Sequence, residues 1–308
     1  MNSESSVSSS HSLLRLLETA QQQTYPSATL YIVATPIGNS ADISLRALHV
    51  LQLVDAIACE DTRTTAQLLT RYGIHKTLLA AHMHNEHEAA EKIIQRLQAG
   101  ERIALVSDAG TPGVSDPGAI IVNAVRQAGL RVSPLPGASA AISALSASGL
   151  TDEHFYFHGF LPSKAGQRDT VLQNLKNIAA TLIFYEAPHR IVDTCQALLS
   201  QLGGQRQVVF ARELSKLFEE IHRCPLEQAP AWLAQDEHRE KGEYVVLVEG
   251  AKIDQALELE EAKRILKILL EDLSVKQAAQ LAASITGQKK NALYELALSM
   301  RDATQGDD

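Results

Sequence analysis

The 308-residue chain is 45% hydrophobic and 21% charged, the balance of a globular protein rather than a disordered one. Its net charge of −8 excludes a protein that coats nucleic acid by bulk charge, so any nucleic-acid contact needs a local basic patch. Three separated cysteines (Cys59, Cys195, Cys224) form no CxxC pair or disulfide framework, and no apolar run approaches the ~20 residues that span a bilayer. The expectation is a cytoplasmic protein that does not enter membranes.

Residues 1–28 are rich in Ser and Gln and lack the apolar core of a secretory signal; they read as a mobile tail with one short helix. From Thr29 the pattern is strand, loop, helix, repeated. TLYIVAT is a strand followed by the turn PIGN, and ISLRALHVLQLV has helical spacing before the short strand DAIAC. TTAQLLTRYG is a helix ending near Gly73, TLLAA a strand, HEAAEKIIQRLQAG a helix ending near Gly100, and RIALVSD a strand. AIIVNAVRQAGL and VSPLPG complete a first α/β domain, 29–148, whose alternation predicts a mostly parallel sheet. A second α/β domain, 149–252, contains the strands HFYFHGF, TLIFYEAP, QVVFARELS and EYVVLVEG. TLIFYEAP shares its Thr-Leu opening and its Pro with TLYIVATP, which hints at two related halves. Residues 253–308 show helical periodicity only, with a Ser274 cap and a Gly287 break; they read as a helical appendage with helix-turn-helix character, or as a packing or dimerisation element.

The stretch SDAGTPGVSDPG (107–118), directly behind the strand at 103–106, is rich in glycine yet acidic. It contains no GK[ST] and no GxGxxG, and no Lys or Arg, so it suits neither a P-loop nor a dinucleotide site, and Asp108 and Asp116 would repel a pyrophosphate. A ligand with hydroxyls to donate and a positive centre, such as S-adenosylmethionine, matches bare backbone amides beside carboxylates. A loop at the carboxyl end of a strand in an open α/β sheet is placed to hold one. The plain alternative is a loop that caps a strand and a helix.

TPIGN (35–39), CEDTRTT (59–65), SDAGTPGVSDPG, PLPGASAAISAL (134–145), GFLPSK (159–164), FYEAPHR (184–190), ARELSK (211–216) and KGEYVVLVEG (241–250) occur in this order. Together they resemble the tetrapyrrole-methylase superfamily of S-adenosylmethionine-dependent methyltransferases. Within it they resemble the branch that methylates the ribose 2′-hydroxyl of a cytidine in the decoding region of 16S ribosomal RNA. The resemblance implies two α/β domains with the cofactor in the cleft between them, a homodimer, and 16S RNA or the small ribosomal subunit as partner. Carried over, the cofactor contacts fall at Pro36, at Asp108, Ala109, Gly110 and Thr111, and at Ala138, Ser139 and Ala140, with Tyr185 and Glu243 from the second domain. One departure is that many pyrrole methylases carry GDP in the cofactor loop, where this chain has SDAGTP. Two rival readings are a methyltransferase acting on a small pyrrole precursor and a non-catalytic RNA- or ribosome-binding module.

Methyl transfer from a sulfonium is an in-line displacement that rests on alignment, and a ribose hydroxyl gains from a proton acceptor. Glu60, Asp61 and Arg63 stand just past the strand DAIAC and are candidates to orient the ribose and take the proton. For the acids the alternative is stabilisation of a helix N-terminus. Glu186, at the end of a buried strand, needs a partner, which Arg190 or a ligand would supply; Arg212 and Glu213 repeat the theme, with a Glu186–Arg212 ion pair as the structural alternative. Arg63, Arg190 and Arg212 are candidates to hold RNA phosphates. HMHNEHE (82–88) offers three histidines without a zinc spacing, and Asn85 with Glu86 and Glu88 reads as a helix cap, so no metal is expected. Ser163, Lys164, Arg168, Lys289 and Lys290 are basic or polar positions that suit RNA or solvent equally.

Overall fold

A computed structural model describes residues 15–16, 18–252 and 255–305. Contacts divide the chain into a unit ending at Gly250 and a unit beginning at Ala251.

The first unit holds two five-stranded sheets. In the first, β1 (Thr29–Val33), β2 (Ala56–Cys59), β3 (Thr77–Ala80), β4 (Arg102–Val106) and β5 (Arg131–Leu135) pair in parallel in the order β3-β2-β4-β1-β5. β1 and β2 are buried along their whole length and β4 along all but its first residue, whereas the edge strands β3 and β5 are partly open. That is why the central segments read as continuous apolar runs. The connecting helices are α1 (Leu45–Leu53), α2 (Thr62–Arg71), α3 (Glu86–Gln98) and α4 (Ala119–Gln127). One face of the sheet buries Val33, Ile57 and Val106 against Val50 and Leu51 of α1; the other buries Leu30, Ile103 and Leu105 against Ile93, Leu97, Ile121 and Val125 of α3 and α4. The chain leaves β1 toward β2 on one side and leaves the adjacent β4 toward β5 on the other. The carboxyl ends of β1 and β4 are therefore a topological switch point, where such sheets open a crevice.

The helix α5 (Ala140–Ser148) follows β5 but packs on the second sheet. That sheet contains β6 (Phe155–Phe160), β7 (Thr181–Glu186), β8 (Gln207–Arg212), β9 (Glu220–Pro225) and β10 (Tyr244–Val248), in the order β6-β7-β10-β8-β9. Only β6 and β7 run parallel; the other pairs are antiparallel. Alternation assigns the two faces. Ile183, Val209, Ala211, Val245 and Leu247 meet the small residues Ala141 and Ala144 of α5. Leu182, Phe184, Val208, Phe210 and Val246 meet Leu172 and Leu175 of α6 (Ala165–Leu175) and Ile191 and Leu198 of α7 (Ile191–Leu202). β9, EIHRCP, was not expected: an edge strand in which Glu220, His222 and Arg223 interrupt the apolar residues carries no apolar run. The shared opening of TLYIVATP and TLIFYEAP has no counterpart in topology, since β1 lies between two parallel partners and β7 between one parallel and one antiparallel.

Residues 1–14 and 17 of the expected tail lie outside the described residues, and its end is anchored through Tyr25. Tyr25 is buried, donates its hydroxyl to the Ala20 carbonyl at 2.8 Å, and lies 4.9 Å from the His49 ring. Its own carbonyl accepts from Arg102 Nε at 3.0 Å. A lone aromatic in a Ser/Gln-rich run leaves no periodicity to read.

The unit from Ala251 is helical: α8 (Gln255–Asp272), α9 (Val275–Thr286) and α10 (Lys290–Gln305) surround Ala262, Leu266, Ala278, Ala282, Leu293 and Ala297. A short helix, Ala229–Ala234, packs Trp232 and Leu233 into the core of the second sheet. Ser274 and Gln277 form a reciprocal capping box, and Gly287 ends α9 in the left-handed conformation.

Candidate active site

Thr35 follows β1 and Gly110 lies in the loop after β4. Each donates its amide to the other's carbonyl, at 2.9 and 3.0 Å, which clamps the two carboxyl-terminal loops of the switch point together. Thr35 Oγ1 also donates to the Ser107 carbonyl at 3.0 Å. Gly110 has φ +84°, a conformation that side chains disfavour, so the bridge needs glycine there. The loop is held further by the Thr111 hydroxyl, which donates to the Ala138 carbonyl at 3.0 Å, and by the buried Glu86, which accepts the Gly118 amide at 2.7 Å. Glu86 was expected to serve a helix cap; its carboxylate instead supports the acidic loop.

These loops and the second sheet enclose a cavity of about 290 Å³. Ala109, Gly110, Thr111, Val114, Ser115 and Asp116 form one wall with Ile37, Ser139 and Ala140; Phe160, Tyr185, Leu214 and Val245 form the other, with Glu213, Lys216 and Glu243. Two sets of contacts tie the walls together. Ser115 packs against Gly159 of β6, and Lys216 packs over Gly38. The Ser215 hydroxyl also donates to the Asp42 carboxylate. Ser115 and Glu213, both lining the cavity, have φ of 61° and 49°, unusual for residues with side chains and a mark of strain held by the surrounding contacts.

Of the residues expected to contact a cofactor, Ala109, Gly110, Thr111, Ser139, Ala140, Tyr185 and Glu243 line the cavity. Pro36, Asp108 and Ala138 stand just behind that lining. Pro36 joins Thr35 to the lining Ile37, the Asp108 carboxylate accepts the Asp61 amide at 3.3 Å, and the Ala138 carbonyl is taken by Thr111. Tyr185 packs edge-on to Phe157 and Phe160, and its hydroxyl accepts the Ala141 amide at 3.2 Å. Burial pushes the Tyr185 phenol up, so it stays protonated.

The expected catalytic residues separate into two groups. Glu60, Asp61 and Arg63 lie beside Asp108, next to the loop and outside the cavity lining. Asp61 is the N-cap of α2, accepting the Arg63 amide at 2.7 Å, and pairs with the Arg63 guanidinium at 3.1 Å. That hydrogen bond holds its carboxyl below the usual range. Glu60 is pushed up by burial and by the Asp108 charge. The Arg63 side chain is 88% exposed.

Glu186, by contrast, shares the sheet face of Leu182 and Phe184, away from α5. Its carboxylate accepts from the Ala187 amide at 2.9 Å and the Thr194 hydroxyl at 2.6 Å. Arg190 Nε lies 3.1 Å from Oε1 as an ion pair without hydrogen-bond alignment, and Arg190 Nη2 donates to the Leu161 carbonyl at 2.6 Å. The Glu186–Arg212 pair is not formed, although both residues register against Tyr244. Arg212 donates to the Lys241 carbonyl at 2.8 Å and meets Glu220 of β9 at 3.4 Å, a partner hidden with the strand that sequence reading missed. Glu213 accepts from Lys216 Nζ at 2.8 Å and the Glu243 amide at 2.9 Å, and Lys216 Nζ meets Glu243 at 2.8 Å as well. The Lys216 and Glu243 contacts lower the Glu213 carboxyl against the opposing effect of its burial.

Sequence reading did not single out Ile37, Val114, Phe160, Leu214 or Lys216 as lining, and used Asp116 only for its charge. Apolar walls leave no motif, and Lys216 was visible only as the end of ARELSK. The charged side chains facing the cavity are three carboxylates, Asp116, Glu213 and Glu243, against one cation, Lys216, already shared by two of them; Glu186 borders the cavity but turns its carboxylate to the far face of the sheet. Gly137 lets the chain entering α5 approach β1 closely: a Cβ there would stand 2.6 Å from the Ala34 Cβ. Such a cavity, acidic and lined by backbone, can hold a cationic small molecule in one orientation and is unsuited to phosphate.

The family model of the Tetrapyrrole (Corrin/Porphyrin) Methylases matches residues 29–230, and that of the RsmI C-terminal HTH domain matches 256–301. Proteins called Ribosomal RNA small subunit methyltransferase I from Escherichia coli O157:H7 and Pseudomonas aeruginosa are 51% and 50% identical over 272 residues; both alignments cover 88% of this chain, and 95% and 96% of the relatives. Among solved structures, the methyltransferase CobJ aligns with a TM-score of 0.54 at 19% identity, covering 72% of this chain and 93% of its own. The cobalamin biosynthetic enzyme cobalt precorrin-4 methyltransferase aligns at 0.51 and 16% identity, covering 72% and 95%. At such identities the structures bear on the fold alone. The length and level of the sequence matches settle the family: the chain belongs to the tetrapyrrole methylases and is a methyltransferase.

Proposed function

We propose that the chain transfers a methyl group from S-adenosylmethionine to the ribose 2′-hydroxyl of a cytidine in the 16S RNA of the small ribosomal subunit, acting in the cytoplasm as a homodimer. The observation that carries the choice of methyl donor is the cavity at the β1/β4 switch point, faced by three carboxylates and one shared lysine. The RNA substrate is supported by relatives that match this chain over nearly their whole length and are named for ribosomal RNA methylation. The homodimer and the position of the modified ribose are supported by the family resemblance.

When bound, S-adenosylmethionine supplies an electrophilic methyl carbon on a sulfonium. The chain's own task is alignment, worth several kcal/mol of barrier when the reacting atoms are held in line. The Thr35–Gly110 clamp fixes the loop amides, the close approach at Gly137 sets the position of Ser139 and Ala140, and Tyr185 closes the opposite wall. Glu213 and Glu243 supply a negative field suited to a cation. Of the three arginines considered for RNA, Arg63 is the one open to solvent; Arg190 and Arg212 are largely spent on protein partners. Arg63 is accordingly assigned to a phosphate beside the cavity.

The test is mass mapping of ribose methylation in 16S RNA from cells lacking the gene, with the gene restored on a plasmid as control. Loss of one cytidine 2′-O-methyl group, regained on restoration, supports the reading; unchanged methylation at every site refutes it. Calorimetry with S-adenosylhomocysteine and with ATP checks the cavity separately, with binding expected for the first and none for the second.

A further inference from the structure

Resting on that reading, we propose that Asp116 is the catalytic base: its carboxylate takes the proton of the ribose hydroxyl as the methyl group arrives. The inference comes from asking what each ionisable group lining the cavity is already doing. Glu186 is saturated by Ala187, Thr194 and Arg190 on the far face of the sheet. Glu213 and Glu243 share Lys216, and Lys216 has no further capacity as a base while it is paired to both. Tyr244 donates its hydroxyl to the Arg239 carbonyl, and Tyr185 is a buried neutral phenol. Asp116 is the lining carboxylate with no cation beside it among the described residues.

What faces Asp116 is of the same sign or neutral. Glu60 comes from the end of β2, Asp108 from its own loop and Tyr185 from β7; the Ser107 hydroxyl, which donates to the Gly110 carbonyl at 3.1 Å, lies beside it. Burial, then the Glu60 charge, push its carboxyl up to about 6, with the Asp108 charge adding to the rise. A carboxylate so placed is ionised near neutral pH and a stronger base than an ordinary aspartate, the combination general-base catalysis favours. The step balances without metal or oxidant. The ribose oxygen forms a bond to the methyl carbon, the carbon–sulfur bond breaks and leaves its electron pair on sulfur, and the hydroxyl proton passes to Asp116.

The experiment uses the full chain with Asp116→Asn and Asp116→Glu, small subunits from cells lacking the gene, and radiolabelled S-adenosylmethionine. Asp116→Asn is expected to lower kcat by roughly 100-fold or more and to leave the dissociation constant for S-adenosylhomocysteine within about threefold. The parent is expected to show an acid limb near 6 in its kcat–pH profile, and Asp116→Asn to lack it. Asp116→Glu is expected to keep part of the activity and the acid limb. The proposal is overturned if Asp116→Asn retains kcat within about threefold. It is equally overturned if the loss lies in S-adenosylhomocysteine affinity, which would make Asp116 a counter-ion for the methyl donor. A parent protein that binds S-adenosylhomocysteine yet methylates no ribosomal RNA removes the substrate reading beneath the proposal, an outcome the parent alone reveals.

Discussion

Glu86 and Gly118, 32 residues apart, are joined by a hydrogen bond of 2.7 Å from the glycine amide to the carboxylate. Through it, the first turn of α3 holds the end of the acidic loop, and the bond is buried. Replacing Glu86 by Ala leaves the Gly118 amide without its partner, at a cost of about 1–3 kcal/mol. Thermal denaturation is expected to show that loss, and hydrogen exchange is expected to quicken first in residues 107–118. Glu86→Gln, which keeps an acceptor, should lose less. An Ala variant that melts with the parent would show the bond to be dispensable.

Glu186 and Arg190 are expected to matter for folding. Removing one partner of a buried ion pair costs about 3–5 kcal/mol because the other charge is left behind. Glu186→Ala and Arg190→Ala should each lower the denaturant midpoint strongly, and a double replacement by apolar residues of similar volume should recover much of it. If Glu186→Ala kept its stability and lost only kcat, the carboxylate would belong to the chemistry.

Gly137 is a steric test of the cavity wall. With 2.6 Å between a new Cβ and that of Ala34, Gly137→Ala must push the chain entering α5 away from β1, at about 1–3 kcal/mol. The displaced residues are Ser139 and Ala140, so S-adenosylhomocysteine affinity should fall along with the melting temperature. Normal affinity in calorimetry would mean that the wall yields without disturbing the ligand side.

The strands of the first sheet were legible because its central segments, TLYIV, AIAC and RIALV, are buried on both faces and therefore apolar throughout. The helix ends at Gly73 and Gly100 were legible because glycine adopts the positive φ that follows them, 67° and 91°. β9 was not, since its charged residues serve Arg212 and Arg239 through Glu220 and interrupt any pattern. At the cavity, the loop 107–118 announced itself through composition. Its supports did not: Glu86 looks like any acid in a first turn, and Lys216 acquires meaning only when Gly38 and Glu243 are brought to it by the fold. The choice of Arg190 over Arg212 as the partner of Glu186 is likewise a matter of which side of the strand end the chain turns toward.

Stability should also depend on Asp116 in a pH-specific way. Its carboxyl has an ordinary value of 3.8 and is raised to about 6 in the folded protein, so the native state holds the proton more tightly than the unfolded chain. Below 3.8 both states are protonated and the group costs nothing; the penalty builds as pH rises through the interval and is complete above about 6. Asp116→Asn removes the penalty. It is expected to stabilise the protein at neutral pH by about 1 kcal/mol, a value reduced for the solvent that reaches the group, and to have little effect near pH 4. Melting curves at the two pH values check this, and an equal shift at both would show that charge is not the cause.

The strand order of the first sheet also constrains how the protein can be made. β1 leaves the ribosome early, yet both of its neighbours, β4 and β5, begin at Arg102 and Arg131. At roughly 5–20 residues per second, Leu30–Val33 must wait on the order of several seconds with both hydrogen-bonding edges open. The last wall of the cavity, Tyr244–Val245, arrives later still. Nascent chains stalled before Arg102 would carry a sticky, unpaired core strand, making them natural clients for chaperones, and those stalled before Tyr244 would still have an incomplete cavity.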